Sequence, residues 1–198
     1  MYQFFTEPSA IDGTVVSVSG GDYNHIRNVL RLRPGEEVSV VTTGAEEYRC
    51  AIESFDEDSQ TVRLRLLFIK QENVELPCRI YLFQGLPKGD KLELIIQKAV
   101  ELGAYEVIPV SMKRSVVRLD EKKIRKRTER YQAVSEAAAK QAKRRIIPRI
   151  REVLSFEEAL LYCDEKEIGI RLLPYELCDP SSMERTRSIL GSIRPGQQ

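Results

Sequence analysis

Between residues 14 and 69 apolar and polar positions alternate in short runs, with turn residues between successive runs. Residues 14–18 alternate, 37–42 follow a Pro34-Gly35 turn, 47–53 follow Thr43-Gly44, and 61–69 follow the acidic turn at 56–59. One helical insertion, 23–32, brings Ile26, Val29 and Leu30 to one face. Short strands at this spacing predict a small β-barrel.

From Cys78 the period changes. Residues 79–84 form a short apolar run, and 90–102 place Leu92, Ile95, Ile96, Ala99 and Val100 on one helical face, with Gly103 ready to end the helix. A strand is predicted at 106–110. A long helix follows at 120–145, its apolar line being Ile124, Tyr131, Val134, Ala138 and Ala142. A strand is expected at 146–150, a helix opened by a Ser155/Glu158 capping box runs to about Cys163, and a further strand covers 168–173. Strands separated by helices of these lengths imply a parallel sheet with right-handed crossovers. The fold class is therefore α/β, with a barrel domain over 1–72 and an α/β domain over 73–198. After a short helix at 183–190 comes SIRPGQQ. A Pro-Gly turn there normally introduces another strand, so the α/β half is expected to be cut off in mid-architecture.

Composition adds limits. Hydrophobic residues make up 42% of the chain and charged residues 31%, as in an ordinary soluble domain. No apolar run is long enough to span a membrane, and residues 1–13 do not read as a signal peptide. The four cysteines are far apart in the chain, which fits a reducing cytoplasm. His25 is the only histidine, so a multi-histidine metal site is excluded and no metal is expected.

The net charge of +1 hides segregation. Residues 1–72 carry net −5, 73–150 net +9 and 151–198 net −3, and residues 113–149 hold 14 basic against 4 acidic side chains. A stripe of that density suggests nucleic acid; the bland alternative is a solvated helix face. The segment EAAAKQAKRRIIPRI concentrates the problem, because Lys140, Lys143, Arg144 and Arg145 gather where a helix hands over to a strand.

Candidate chemistry lies in three further places. FQGLPKGDK (83–91) joins a strand to a helix, where Lys88 and Lys91 can reach phosphates beside helix-start amides, although a plain tight turn explains its glycines. It is neither G-x-x-x-x-G-K-[ST] nor G-x-G-x-x-G. NHIRNVLRLRPGEEV (24–38) sets Arg27 and Arg31 one helical turn apart beside Asn24 and Asn28, as an RNA reader or a barrel cap. His25 is grouped with them, although packing suits it better than acid–base work. MKRSVV (112–117) puts Lys113, Arg114 and Ser115 just past a strand end, where an arginine can hold phosphate or stabilise developing negative charge. No nucleophile–base pair is identifiable.

HIRNVLRLRPGEEV, QGLPKGDKLELIIQKAVELGAYEVIPVSMKRSVV and SEAAAKQAKRRIIPRI together resemble successive signatures of the ribosomal RNA small subunit methyltransferase E family, within the SPOUT class of knotted methyltransferases. The resemblance implies a PUA-like barrel, an α/β domain with a trefoil knot, and a homodimer. It also implies methyl transfer from S-adenosylmethionine to N3 of a uridine in 16S ribosomal RNA. It gives Arg114, Glu136 and Arg144 catalytic roles. Asn24, His25, Arg27, Arg31, Lys88, Lys91, Lys113, Ser115, Gln141 and Arg145 would face RNA of the small ribosomal subunit. Leu172, Leu173, Pro174, Tyr175 and Glu176 would form one wall of the cofactor pocket. The family's Gly-Pro-Glu-Gly-Gly and Leu-Arg-(Thr/Ala)-Glu-Thr segments do not occur here, so the knot is expected to be missing. The alternative is a non-catalytic RNA-binding or ribosome-assembly protein.

Overall fold

In the computed structural model the alternating runs pair into one six-stranded sheet and the helical half forms around a second, parallel one. The structure describes residues 1–71, 74–113, 121–174 and 182–197. The chain divides into a first unit, Met1–Val74 with Ala139–Ile146, and a second unit, Glu75–Ala138 with Ile147–Gln198. The return of residues 139–146 to the first unit is invisible in the residue pattern.

The first unit contains β1 (Gln3–Thr6), β2 (Ile11–Asp12), β3 (Val15–Ser19), β4 (Glu37–Thr42), β5 (Glu47–Asp56) and β6 (Thr61–Lys70), in the order β1-β4-β5-β6-β3-β2. All neighbours are antiparallel except β1 and β4, which run parallel with Gln3 opposite Ser39. Period-2 alternation turns Val16, Val18, Val38, Val40, Ile52, Val62 and Leu64 inward, where Phe4 and Ile26 complete a barrel-like core. The expected helix at 23–32 begins instead as α1 (Gly21–Asn24) and widens into a π-helical turn over His25–Val29. There the Leu30 amide donates to the His25 carbonyl at 2.8 Å, one residue further back than in an α-helix.

In the second unit β7 (Tyr81–Gly85) and β8 (Glu106–Ser111) are parallel, joined by α2 (Lys91–Glu101). Leu92, Ile96 and Val100 are the buried stripe of α2. α3 (Glu121–Gln141) precedes β9 (Arg149–Ile150) and β10 (Leu154–Ser155), both parallel to β8. Their registers differ by one residue, so they are one interrupted strand with a slip between them. α3 ends earlier than expected, because Lys143 adopts φ 56 and leaves the right-handed helical region. Its side chains then hold the next strand: Ser135 donates to the Pro148 carbonyl at 2.6 Å, and Gln132 accepts from the Ile150 amide. The predicted capping box is present, with Ser155 and Glu158 exchanging hydrogen bonds at the start of α4 (Phe156–Glu165).

Residues 168–173 do not form the expected strand. Their alternation is satisfied differently: Ile168, Ile170 and Leu172 line a cavity of about 240 Å³ with Cys78, Ile80, Tyr81, Leu190 and Ile193, the last two on or beside α5 (Ser182–Ser192). Apolar alternation here lines a cavity without a ladder of backbone hydrogen bonds, with Ile168 buried, Ile170 half-buried and Leu172 exposed. Leu173, Met183 and Leu190 remain exposed.

At the start of β8 the buried Glu106 accepts a 2.8 Å hydrogen bond from the Tyr162 hydroxyl. Burial, then this bond, push the Tyr162 pKa up to about 12. Tyr162→Phe would leave Glu106 without its donor and should cost about 1–3 kcal/mol in urea unfolding. Gly103 makes a second test. Its φ of 101 is left-handed, and an added methyl would stand 2.5 Å from Leu76 Cδ1, whereas Gly89 (φ +66) has open space around it. Gly103→Ala should therefore lower the thermal midpoint more than Gly89→Ala.

Candidate functional site

The parallel register ends β7 and β8 side by side, with Gly85 opposite Val110. The loop residues that follow leave the same sheet edge, and the Leu86 amide donates to the Val110 carbonyl at 2.9 Å. A side chain at Gly85 would touch Met112, so a small residue allows the two loops to approach. Lys88 and Lys113 on these loops, and Lys91 at the start of α2, are all exposed. Lys91 opens α2, whose first turn has no side-chain cap, so its amides add to the positive field. Arg114 and Ser115 lie outside the described residues. Glu136 is half-buried on α3 in the second unit.

Of the residues expected to meet S-adenosylmethionine, Leu172, Leu173 and Pro174 are exposed and apolar, while Tyr175 and Glu176 lie outside the described residues. Among the described residues only Leu172 of this set lines the cavity beside β7.

The first unit holds the other expected site residues, and their geometry departs from the helical reading. Arg27 lies over the Phe55 ring at 4.8 Å and pairs with Glu57 at 3.3 Å. Arg31 takes φ 54 beyond the π-turn. The two arginines therefore do not share the regular one-turn face that the sequence implied. Asn28 donates to Asn24 at 2.6 Å, and the His25 ring meets Phe4 edge-on at 6.2 Å.

Residues 139–146 explain the cation run. Lys140 bonds both carboxylate oxygens of Asp22, at 2.9 and 3.2 Å. The Arg144 carbonyl accepts from Gln3 at 2.6 Å. Arg145, its side chain 7% exposed, pairs through Nε with Glu47 at 3.3 Å and donates to the Lys70 carbonyl at 2.9 Å. Ser39 donates to the other Glu47 oxygen at 2.8 Å. Arg144 is buried as well, whereas Gln141 and Lys143 are exposed. Within the expected RNA-facing stripe Lys113, Lys126, Arg127, Arg130, Lys143 and Arg149 are exposed, and Arg144 and Arg145 are not. Arg144 and Arg145 are buried in the first unit, where a phosphate could reach them only by displacing that packing. Glu47 and Asp22, which no local motif singles out, are the residues that receive the cations.

These contacts set two expectations. Arg145→Ala removes one of three partners of a buried carboxylate, leaving Ser39 and Lys70, and should cost about 1–3 kcal/mol in chemical unfolding, while exposed Lys143→Ala stays within about 0.5 kcal/mol. Burial tends to raise the Glu47 pKa, but the Ser39 hydrogen bond, Lys70 and Arg145 outweigh it and hold it below its usual value. Its contribution is therefore complete above the usual carboxylate range and is lost as pH falls through the lowered value. Glu47→Gln should flatten the acid limb of a stability–pH curve.

A family model described as an RNA methyltransferase domain matches residues 74–189, and one described as an RNA methyltransferase PUA domain matches residues 18–65. The chain belongs to the RNA methyltransferase domain family. It is 39% identical over 155 residues to the ribosomal RNA small subunit methyltransferase E of Bacillus subtilis, covering 78% of this chain and 60% of that relative. It is 30% identical over 154 residues to the enzyme of the same name from Mycobacterium tuberculosis, covering 77% and 57%. The chain thus spans about 60% of the length of the curated relatives it matches. A crystal structure of a hypothetical protein superposes with TM-score 0.88 at 33% identity, over 98% of this chain and 77% of that one. The ribosomal RNA small subunit methyltransferase E of Neisseria gonorrhoeae, bound to S-adenosyl methionine, superposes with TM-score 0.74 at 24% identity, over 100% and 76%; this shows a shared fold. The family resemblance and the α/β fold class with a PUA-like barrel are borne out. No helix among the described residues is long and apolar enough to cross a membrane.

Proposed function

We propose that this chain is the RNA-binding and RNA-orienting part of an S-adenosylmethionine-dependent methyltransferase acting on N3 of a uridine in 16S ribosomal RNA. The observation that carries the reading is the joint match of methyltransferase and PUA domain models on one chain. The named relatives add the small-subunit ribosomal RNA substrate. A homodimer and a cytoplasmic setting belong to the same proposal.

S-adenosylmethionine, when bound, supplies an electrophilic methyl group. Methyl transfer asks the protein chiefly for alignment. Lys88, Lys91 and Lys113 hold phosphates at the sheet edge, and Leu172, Leu173 and Pro174 offer apolar surface to the nucleoside. Tyr175 and Glu176 would extend that wall. Arg114, with Ser115 beside it, is assigned the stabilisation of the uracil anion, and Glu136 the orientation of the base. Asn24, His25, Arg27, Arg31 and Gln141 add RNA contacts. Arg144 and Arg145 are assigned to anchoring residues 139–146.

The test uses the protein as its gene encodes it, with small ribosomal subunits from a strain lacking this methylation. Nucleoside mass spectrometry should find 3-methyluridine in 16S ribosomal RNA after incubation with S-adenosylmethionine. Tight binding to the subunit without methyluridine would favour the assembly-protein reading instead. Replacing Lys88, Lys91 and Lys113 by Ala should weaken RNA binding and flatten its log–log salt dependence by about one unit for each phosphate no longer neutralised. An unchanged slope would remove these lysines from the RNA path.

A further inference from the structure

We propose that the outward face of β5 and β6 is a second, single-stranded-RNA-binding surface, with Arg63 and Arg65 as phosphate ligands and Phe68 as a base-stacking platform. The inference rests on the RNA-substrate reading above and concerns a face which that reading does not use.

The strand register builds the face. Along β6, Val62 and Leu64 point into the core, so Arg63 and Arg65 point out. Arg63 stands between Ser17 of β3 and Ser54 of β5, and Arg65 between Val15 and Ala51. These small neighbours leave both guanidinium groups open, and both arginines are exposed. Neither makes a hydrogen bond or ion pair among the described residues. Asp56 feels Arg63, but its carboxyl is held low mainly by the Ser59 amide.

Phe68 should not belong to this face. By strict alternation it would follow Val62, Leu64 and Leu66 inward. The register shifts between Arg49 and Cys50, with Cys50 opposite Leu66 and Arg49 opposite Phe68, so Leu67 is an extra residue. That bulge reverses the parity and sends Phe68 outward, 53% exposed. Arg49 then lies over the Phe68 ring at 5.8 Å. Glu37 of the neighbouring strand pairs with Arg49 at 3.2 Å.

An exposed ring and two cations without an ion-pair partner among the described residues, on one rigid face, contribute nothing to the core. Single-stranded RNA is the polyanion whose unstacked bases use both features, since phosphates meet the arginines and a base stacks on the ring. A duplex would satisfy the charges and leave the ring unused.

The chain contains no tryptophan, so Phe68→Trp installs a single fluorescent reporter. Oligouridylate should quench its emission on binding. Arg63→Gln with Arg65→Gln should flatten the salt dependence of that binding by about two units. Phe68→Ala, which carries no tryptophan, should weaken binding of a labelled oligouridylate at least about fivefold by fluorescence anisotropy, relative to the unaltered protein. Thermal midpoints within a few degrees of wild type would establish that the exposed substitutions leave the fold intact. Binding of ribosomal RNA with unquenched tryptophan and an unchanged slope would overturn this face while leaving the proposed function standing. Failure of the unaltered protein to bind any ribosomal RNA would instead overturn the proposed function, and this inference with it.

Discussion

A guanidinium that is 7% exposed cannot be held in a protein without a counter-charge and hydrogen-bond acceptors, and Arg145 obtains both from the barrel. Glu47 meets the same constraint from the other side. It is buried on the sheet, and it is satisfied jointly by Ser39, Lys70 and Arg145. Removing Arg145 takes one of three partners from the buried Glu47, and removing Glu47 takes the carboxylate from the buried Arg145. Residues 139–146 are consequently fixed to the barrel, although the α3 helix that leads into them lies mostly in the second unit. The chain passes from one unit to the other inside the last turn of that helix.

That constraint decides what the cation run means. The first 72 residues carry net −5, and the four cations of 139–146 reduce the unit to −1. A segment that looks like a polyanion site along the sequence is, to this extent, the charge balance of an acidic barrel. Lys140 with Asp22 and Arg145 with Glu47 are separated by 118 and 98 residues, so no local pattern could have paired them. A run of positive charge states only that counter-charge is needed. It does not distinguish phosphate from carboxylate.

Other elements were legible because their causes are local. β4, β5 and β6 announced themselves through alternation between turn residues, the Ser155/Glu158 box marked the start of α4, and Gly103 marked the end of α2. β1 and β2 were missed because four and two residues give too short a period, and β1 exists only by pairing with β4, some 36 residues away. Residues 168–173 were misread in the opposite sense. Their alternation is real, but it reports a shared apolar cavity and not a ladder. Of the candidate site, the placement of Lys88, Lys91 and Lys113 after β7 and β8 could be read from strand–loop–helix order alone. The arginines after α1 could not be placed, because the π-turn changes which residues share a face.

The same limit applies to β6, where one inserted residue carries a consequence that composition cannot express. Counting by twos from Val62 places Phe68 in the core, and a barrel with one more inward phenylalanine would look better packed from the sequence. The bulge at Leu67 rejects that arrangement and sets an aromatic ring beside Arg49 in solvent. A bulge interrupts the ladder and leaves an unpaired residue, and exposing the ring forgoes its burial free energy. Part of the loss is recovered inside the first unit, since the same change of parity sets Lys70 opposite Glu47, 3.4 Å from its carboxylate, and Arg49 lies over the ring at 5.8 Å. The bulge therefore serves the buried Glu47 cluster as well as the outward face, and what the unit leaves unrecovered is the part of the Phe68 ring that stays in solvent.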